Sequence, residues 1–252
     1  MKKILFTLLI CASTILLHAQ TYSQAIGIQL GYANPVYRLN SPDSPEQQKA
    51  NLFPDNLRGV KIGFNYDATL IRGFGLNMAI NYTFAGTQTS WNDYRFDING
   101  KPITNKIYPL DSRSQKLYQS LELAIDWQYK FEIAHHTWLI LYTGPTMQCG
   151  LQRINKDQIR YKNQTEIEKV EKSNYYEYEN DPAHSYNRIN VTWGIGVGFQ
   201  YGRYFIRGGY DFGLMNPYYY HNFNKMGYGF DRNTRGRLDQ WQVKLGIYIW
   251  ND

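Results

Sequence analysis

This sequence has few cysteines, no long apolar run beyond its N-terminus and little net charge. Only two of the 252 residues are cysteine, Cys11 and Cys149, and Cys11 lies in an N-terminal leader. Removal of that leader would leave one thiol, which excludes an internal disulfide and a zinc site built on cysteines. Beyond the leader, no window approaches the roughly 18 consecutive apolar residues that indicate a membrane-spanning helix. The formal net charge of +6 comes without a basic cluster interleaved with aromatic residues, so we expect no nucleic-acid binding.

The leader, residues 1–19, has the form of a cleavable secretory signal peptide. "MKK" supplies a positive region, "ILFTLLICASTILL" an apolar core and "LHAQ" a cleavage site after Ala19. A retained membrane anchor is the alternative, but the apolar core is shorter than the roughly 20 residues of a spanning helix. Without Lys2 and Lys3 the chain keeps 25 of its 27 basic residues against 21 acidic ones, a formal charge of +4.

The sequence is rich in segments where every second residue is apolar or aromatic. In "VTWGIGVGFQY", residues 191–201, the residues between the apolar ones are small or polar. Such alternation indicates a strand with one apolar face. It recurs in "AIGIQLGY" (25–32), "GVKIGFNYD" (59–67), "GLNMAINYTF" (75–84), "KLYQSLELAIDWQYK" (116–130), "WLILYTGPTMQCGL" (138–151), "YFIRGGYDFGL" (204–214) and "DQWQVKLGIYIW" (239–250). The alternation therefore predicts eight strands.

The second face of these strands and the lengths of their connections limit the choice among β folds. That face is rich in glycine, which weakens an ordinary strand and so needs a reason, such as a crowded barrel interior. Three connections are short: "ATLIRGF", "FEIAHHT" and "GR". The four between them are long: residues 34–57, 86–115, 152–188 and 215–237. Bacterial outer-membrane barrels alternate in this way, with short periplasmic turns and longer extracellular loops.

The pattern predicts an all-β fold, a transmembrane eight-stranded antiparallel up-and-down β-barrel that comprises residues 20–252. Its apolar face would contact lipid, and the sheet would close because lipid offers no partner to an open edge. A soluble β-sandwich is the alternative, but its outer face would be polar. Aromatic residues near the strand ends fit the interfacial girdles of such barrels; they are Tyr32, Tyr66, Phe84, Tyr129, Tyr201, Tyr204, Trp241 and Trp250.

Strand parity assigns eight charged residues to the barrel lumen. They are Lys61, Asp67, Glu122, Asp126, Lys130, Arg207, Asp211 and Lys244. The interior of an eight-stranded barrel is just wide enough for side chains to fill, and charges buried there need ionic and hydrogen-bonding partners. We predict a balanced ion-pair network that plugs the lumen. A narrow gated pore, in which Arg207 or Lys244 exchanges partners, is the alternative.

The long connections carry tyrosine-rich segments that suit recognition. The candidate residues are Tyr175, Tyr176, Tyr178, Tyr218, Tyr219, Tyr220 and His221. Loops that only pack over the barrel mouth or against lipopolysaccharide are the alternative. The expected partners are outer-membrane lipid and lipopolysaccharide, with a protein partner at the extracellular loops.

Catalysis by a barrel of this kind needs a nucleophile or an activated water with a positioned base. His184 and His221 lie in long connections without a second catalytic element at a diagnostic spacing, and "HH" at 135–136 indicates a turn rather than a metal site. We predict no catalytic residue, no metal site and no cofactor, and hence a protein that is not an enzyme. A barrel enzyme that acts on lipid or peptide at the outer face is the alternative.

The sequence resembles the PorT-like outer-membrane β-barrel family of Bacteroidetes. The resemblance lies in the "HAQ" leader end, in "GVKIGFNYDATLIRGFGLNMAINYTFAG", in "QKLYQSLELAIDWQYKF" and in "RGGYDFGLMN" with the terminal "LGIYIW". "LAID" at 123–126 departs from the Pro-containing apolar run that is common there. The resemblance implies a barrel in the outer membrane without known catalytic residues. Some relatives assist a protein secretion system, which implies an accessory role in secretion for this chain.

Overall fold

Strands make up most of the part of the chain that the computed structural model describes. The described residues are 23–40, 57–71, 73–90, 92–93, 110–161, 166–167, 169–174, 176, 187–217 and 235–251. The strands are β1 Ser23–Asn40, β2 Arg58–Ile71, β3 Phe74–Gln88, β4 Asn92–Asp93, β5 Leu110–Ala134, β6 Thr137–Tyr161, β7 Lys169–Asn174, β8 Ile189–Tyr201, β9 Tyr204–Gly213 and β10 Arg235–Asn251. The described residues contain no helix long and apolar enough to cross a membrane.

Eight of these strands pair into a closed ring. Its order is β1, β2, β3, β5, β6, β8, β9 and β10, and each strand is antiparallel to its neighbours along the chain. The first and last strands also pair, from Ala25 with Asn251 to Asn40 with Arg235, and this closes the ring. The short strands β4 and β7 pair with β5 and β6 outside the ring.

Three short turns lie at one end of the ring, together with Ser23 and Asn251, and we call this the turn end. The long connections leave the opposite end, the loop end. Each turn contains a residue with positive φ: Gly73 at 87°, His136 at 57° and Gly202 at 54°. At Gly73 a Cβ would also lie 2.4 Å from the carbonyl oxygen of Lys130, so glycine is needed there for space as well as for φ.

The two faces of the ring reverse the usual arrangement of a water-soluble protein. Large apolar side chains on the outer face are 37–65% exposed, and every strand of the ring contributes some of them. The buried residues inside are mostly polar or charged, or are small ones such as Ala79 and Ala124. This arrangement confirms the predicted fold, an all-β, eight-stranded antiparallel up-and-down barrel with short and long connections at opposite ends.

Glycines in the wall make room for large inward side chains. A Cβ on Gly196 would lie 2.2 Å from Cζ of Tyr142, and one on Gly246 would lie 2.1 Å from Cζ of Phe205. Tyr142 and Phe205 are themselves almost fully buried. Because a barrel of this size has little free interior, each large side chain needs a small one opposite.

The long β5–β6 hairpin extends further than the alternation predicts. Pairing continues to Leu110 and Tyr161, so parts of the expected long connections are strand. The long connection predicted at residues 152–188 contains the end of β6 and the strand β7. The extension escapes the periodicity because both of its faces are polar. The predicted signal peptide, residues 1–19, lies outside the described residues.

Candidate functional site

The structure places the eight predicted lumen charges inside the barrel. Seven of them are at most 4% exposed as residues, and the side chain of Lys130 is 10% exposed. Their bonds divide them into two connected clusters and one looser group.

The Asp67 cluster, near the turn end, joins four strands through one carboxylate. Oδ1 of Asp67 accepts hydrogen bonds from Nζ of Lys130 at 2.8 Å and Nε2 of Gln128 at 2.9 Å. Oδ2 accepts from Nη2 of Arg207 at 2.9 Å and from the hydroxyl of Tyr248 at 2.8 Å. Arg207 also donates to Oε1 of Gln128 at 2.8 Å. The carboxylate therefore has two donors on each oxygen, which offsets the cost of burying it.

The Glu122 cluster lies nearer the loop end and joins β2, β3, β5 and β10. Nζ of Lys61 is 2.5 Å from Oε2 of Glu122 and donates to Oε1 of Gln242 at 2.7 Å. Oε1 of Glu122 accepts from the hydroxyls of Thr83 at 2.7 Å and Ser120 at 3.3 Å. Both charges of this ion pair are fully buried, and each has polar neighbours in addition to its partner.

The remaining three charges form a looser group. Asp211 accepts a hydrogen bond from Nε2 of Gln242 at 2.9 Å, which links it to the Glu122 cluster. Lys244 interacts electrostatically with Asp126 and Asp211. Yet within the described residues no ion pair of 4.0 Å or less joins Lys244 or Asp126 to an opposite charge. The lumen thus contains two directly bonded clusters that hold five of the predicted charges, together with a hydrogen-bonded Asp211 and, within the described residues, two charges without a direct ionic partner.

A third group of side chains fills the mouth at the loop end. The guanidinium of Arg153 lies over the ring of Tyr37, 3.5 Å from its centroid, and Tyr37 contacts Tyr118 edge-on at 6.2 Å. Tyr37, Tyr118 and Arg153 are almost fully buried. The hydroxyl of Tyr176 points at Gly150 in the wall, where an added Cβ would lie 2.1 Å away. Burial raises the pKa of Tyr176 well above the usual value for tyrosine, and the neighbouring Tyr37 is the second cause of that rise.

Tyr176 is the one candidate recognition residue that lies among the described residues. It is half-buried and packs into the barrel mouth, as in the alternative in which loops cover the opening. The other six candidates, Tyr175, Tyr178, Tyr218, Tyr219, Tyr220 and His221, lie outside the described residues. So does His184.

Several residues of these clusters were not singled out from the sequence. Gln128 and Tyr248 have the same strand parity as the predicted lumen charges, so parity alone would have found them. Tyr37 and Arg153 lie just beyond the alternating segments, where no periodic signal marks the inward face.

His135 and His136 lie side by side in the turn between β5 and β6. The rings of His135 and His136 are 3.8 Å apart between centroids, and His136 contacts Trp138 at 6.4 Å. No group of three or more His, Cys, Asp or Glu side chains among the described residues is placed to hold a metal ion.

Comparison with known proteins finds similarity only to solved structures. No protein-family model matches the chain, and no curated protein matches it. Ail of Yersinia pestis, in complex with the heparin analogue sucrose octasulfate, is 12% identical at a TM-score of 0.38, over 89% of this chain and 97% of Ail. Neisserial surface protein A is 10% identical at 0.34, over 90% and 99%. A major outer membrane protein of Thermus thermophilus is 11% identical at 0.36, over 88% and 100%.

Proposed function

We propose that this protein is a non-enzymatic outer-membrane barrel with a closed lumen, which acts through its loop end. The observation that carries the proposal is the belt of exposed apolar side chains around a closed ring with a charged interior. Leu245, Phe64 and Ile195 are 57–65% exposed on three different strands of that belt. A water-soluble protein rarely exposes contiguous apolar surface beyond a few hundred Å², whereas hydrocarbon solvates such a belt at no cost.

The orientation follows from the connections. Short turns and both ends of the barrel at one side fit the periplasm, and the long connections then reach the cell exterior. A signal peptide at residues 1–19 would deliver the chain to this location.

The filled lumen supports a barrel that does not conduct. The Asp67 cluster and the Glu122 cluster bridge opposite sides of the ring, and the mouth is filled by Tyr37, Tyr118 and Arg153. Opening a pore would separate ion pairs that are shielded from water, and breaking such a pair costs several kcal/mol.

The role at the loop end is structural or one of recognition. Outer-membrane lipid and lipopolysaccharide would surround the wall, and a protein partner would bind the extracellular loops. An accessory role in protein secretion rests on the resemblance to PorT-like proteins. Deletion of the gene followed by measurement of secreted proteins tests that role, and an unchanged secretome would contradict it.

Membrane fractionation and current recording test the proposal together. We expect the mature chain in the outer-membrane fraction, resistant to alkaline carbonate and soluble only in detergent. Purified protein in planar bilayers should give no stepwise current. Recovery of the chain in the soluble fraction would refute the membrane location, and steady single-channel currents would favour the gated pore.

A further inference from the structure

A charged cluster lies on the outer wall of the barrel, near the loop end, and takes no part in the lumen. Asp239 on β10 is fully buried there, although its strand parity points it outward. Its Oδ2 lies 3.0 Å from Nε of Arg38 and 3.0 Å from Nε of Arg237. The same carboxylate accepts from the hydroxyl of Tyr210 at 2.8 Å and from the amide of Gly213 at 3.0 Å.

We infer that Arg38 and Arg237 form a binding site on the outer wall for the phosphate group of an outer-membrane lipid. The inference rests on the proposed membrane location. It names a ligand class and a position on the wall, which that location alone does not specify.

The strand register places the two arginines side by side. Arg38 of β1 is directly opposite Arg237 of β10. Like charges in directly opposite positions destabilise a sheet unless an anion lies between them. Asp239 supplies one negative charge to two positive ones, so the cluster keeps a net charge of +1. A second anion would complete it.

The arginines keep the donors that a phosphate needs. Each contacts Asp239 through Nε, and their side chains are 51% and 40% exposed. Within the described residues, Asp239 is the one ionic partner of both side chains. Arg38 is also hydrogen-bonded to the side chain of Tyr210. The remaining terminal nitrogens of the two guanidiniums can donate outward, and a planar guanidinium matches the oxygens of a phosphate with two parallel hydrogen bonds.

The height of the cluster matches a lipid head group. Below it on the same wall, the rings of Tyr32 and Trp241 are 5.1 Å apart and belong to the predicted aromatic girdle. Asp239 is two residues beyond Trp241, a rise of roughly 7 Å along the strand. With the tilt of a membrane strand this is about 5 Å along the bilayer normal. The head-group layer is roughly 5–8 Å deep on each side of the hydrocarbon.

The opposite reading is that both arginines only cover a buried carboxylate. That reading explains the two Nε contacts. It gives no role to the outward N–H donors of the arginines or to the excess positive charge. It also predicts that lipid binding does not depend on the lipid phosphate.

Native mass spectrometry of the full chain in detergent tests the inference. The probes are diphosphorylated lipid A, the same lipid without phosphates, and inorganic phosphate. We expect the wild type to retain the diphosphorylated lipid about tenfold better than the dephosphorylated one. Retention should fall to the dephosphorylated level in Arg38→Gln/Arg237→Gln. If inorganic phosphate displaces the lipid at equal concentration, the site is one for free phosphate instead, and the inference is wrong.

Arg203→Gln is the matched control. Arg203 is exposed in the turn after β8, at the opposite end of the barrel, so its loss removes the same charge without touching the cluster. It should bind the phosphorylated lipid as the wild type does. Heat-dependent gel migration confirms that each variant is folded. Equal binding by the folded double variant, or an equal loss in Arg203→Gln, would overturn the inference. A chain that never enters detergent micelles would instead refute the membrane location.

Discussion

The Asp67 cluster and the looser group of Asp126, Asp211 and Lys244 occupy the same lumen but differ in how their charges are joined. Asp67 accepts four hydrogen bonds, two of them from cations, and joins four strands. Lys244, Asp126 and Asp211 interact across the lumen, but no ion pair of 4.0 Å or less joins Lys244 or Asp126 to an opposite charge in the described residues. The difference teaches that equal numbers of opposite charges do not ensure pairing. In the register Lys244 lies opposite Arg207, a like charge, and Asp126 lies in line with Asp67 across Asn77, so neither has an opposite charge beside it there.

The largest effect is expected from Asp67→Ala. The substitution leaves Arg207 and Lys130 buried without their carboxylate, and a broken buried ion pair costs about 3–5 kcal/mol. Equilibrium unfolding in urea, followed by the gel migration of folded and unfolded forms in detergent, measures the loss. A loss as small as that of Lys244→Met would contradict the distinction between the two regions.

The Glu122 cluster offers a paired test of the same distinction. Lys61→Met leaves Glu122 with only the hydroxyls of Thr83 and Ser120, and we expect a loss of about 3 kcal/mol. Combining it with Glu122→Met removes both charges, and an apolar pair of similar volume should recover most of that loss. The same unfolding assay checks both. If the double variant is no more stable than Lys61→Met, the ion pair itself stabilises the barrel and the two charges do not merely neutralise each other.

Space around the Asp67 cluster gives an intermediate effect. In Gly196→Ala the new Cβ would collide with Tyr142, whose ring lies 5.6 Å from the guanidinium of Arg207. Overpacking of this kind costs about 1–3 kcal/mol. Gly208→Ala is the matched control, since its Cβ would meet nothing closer than 3.9 Å. Equal unfolding midpoints for the two variants would show that the interior tolerates the extra methyl group.

The smallest effect is expected from Lys244→Met. Lys244 has no direct ionic partner within the described residues, so its replacement breaks no ion pair and removes a costly buried charge. We expect the free energy of unfolding to change by about 1 kcal/mol or less. A loss as large as that of Lys61→Met would place Lys244 in the bonded network.

Much of the barrel could be predicted from the sequence because parity is local. The outward residues Leu139, Leu141 and Met147 keep their alternation through β6, and they are all exposed on the outer wall. The inward charges follow from the same rule. Their pairing does not, because it depends on the relative height of strands that are far apart in sequence. Asp67 and Arg207, for example, are 140 residues apart.

The outer parts of β5 and β6 were missed for a different reason. Arg113 of β5 and Gln158 of β6 bond each other across the hairpin, at 2.6 Å, in a segment that is polar on both faces. Where both faces are polar, no period-two signal remains. The cluster around Asp239 escaped prediction for another reason: Asp239 lies in an alternating segment, but nothing in the alternation marks an outward carboxylate as buried.

Cys149 provides the most direct test of the central claim, that hydrocarbon solvates the outer wall. It is exposed on that wall between Met147 and Leu151, and it is the single cysteine of a chain expressed without residues 1–19. In lipid nanodiscs a membrane-impermeant maleimide should leave Cys149 unmodified, while a cysteine placed at Arg203 in a Cys149→Ser background should react fully. Rapid modification of Cys149 in the folded, lipid-embedded protein would contradict the account.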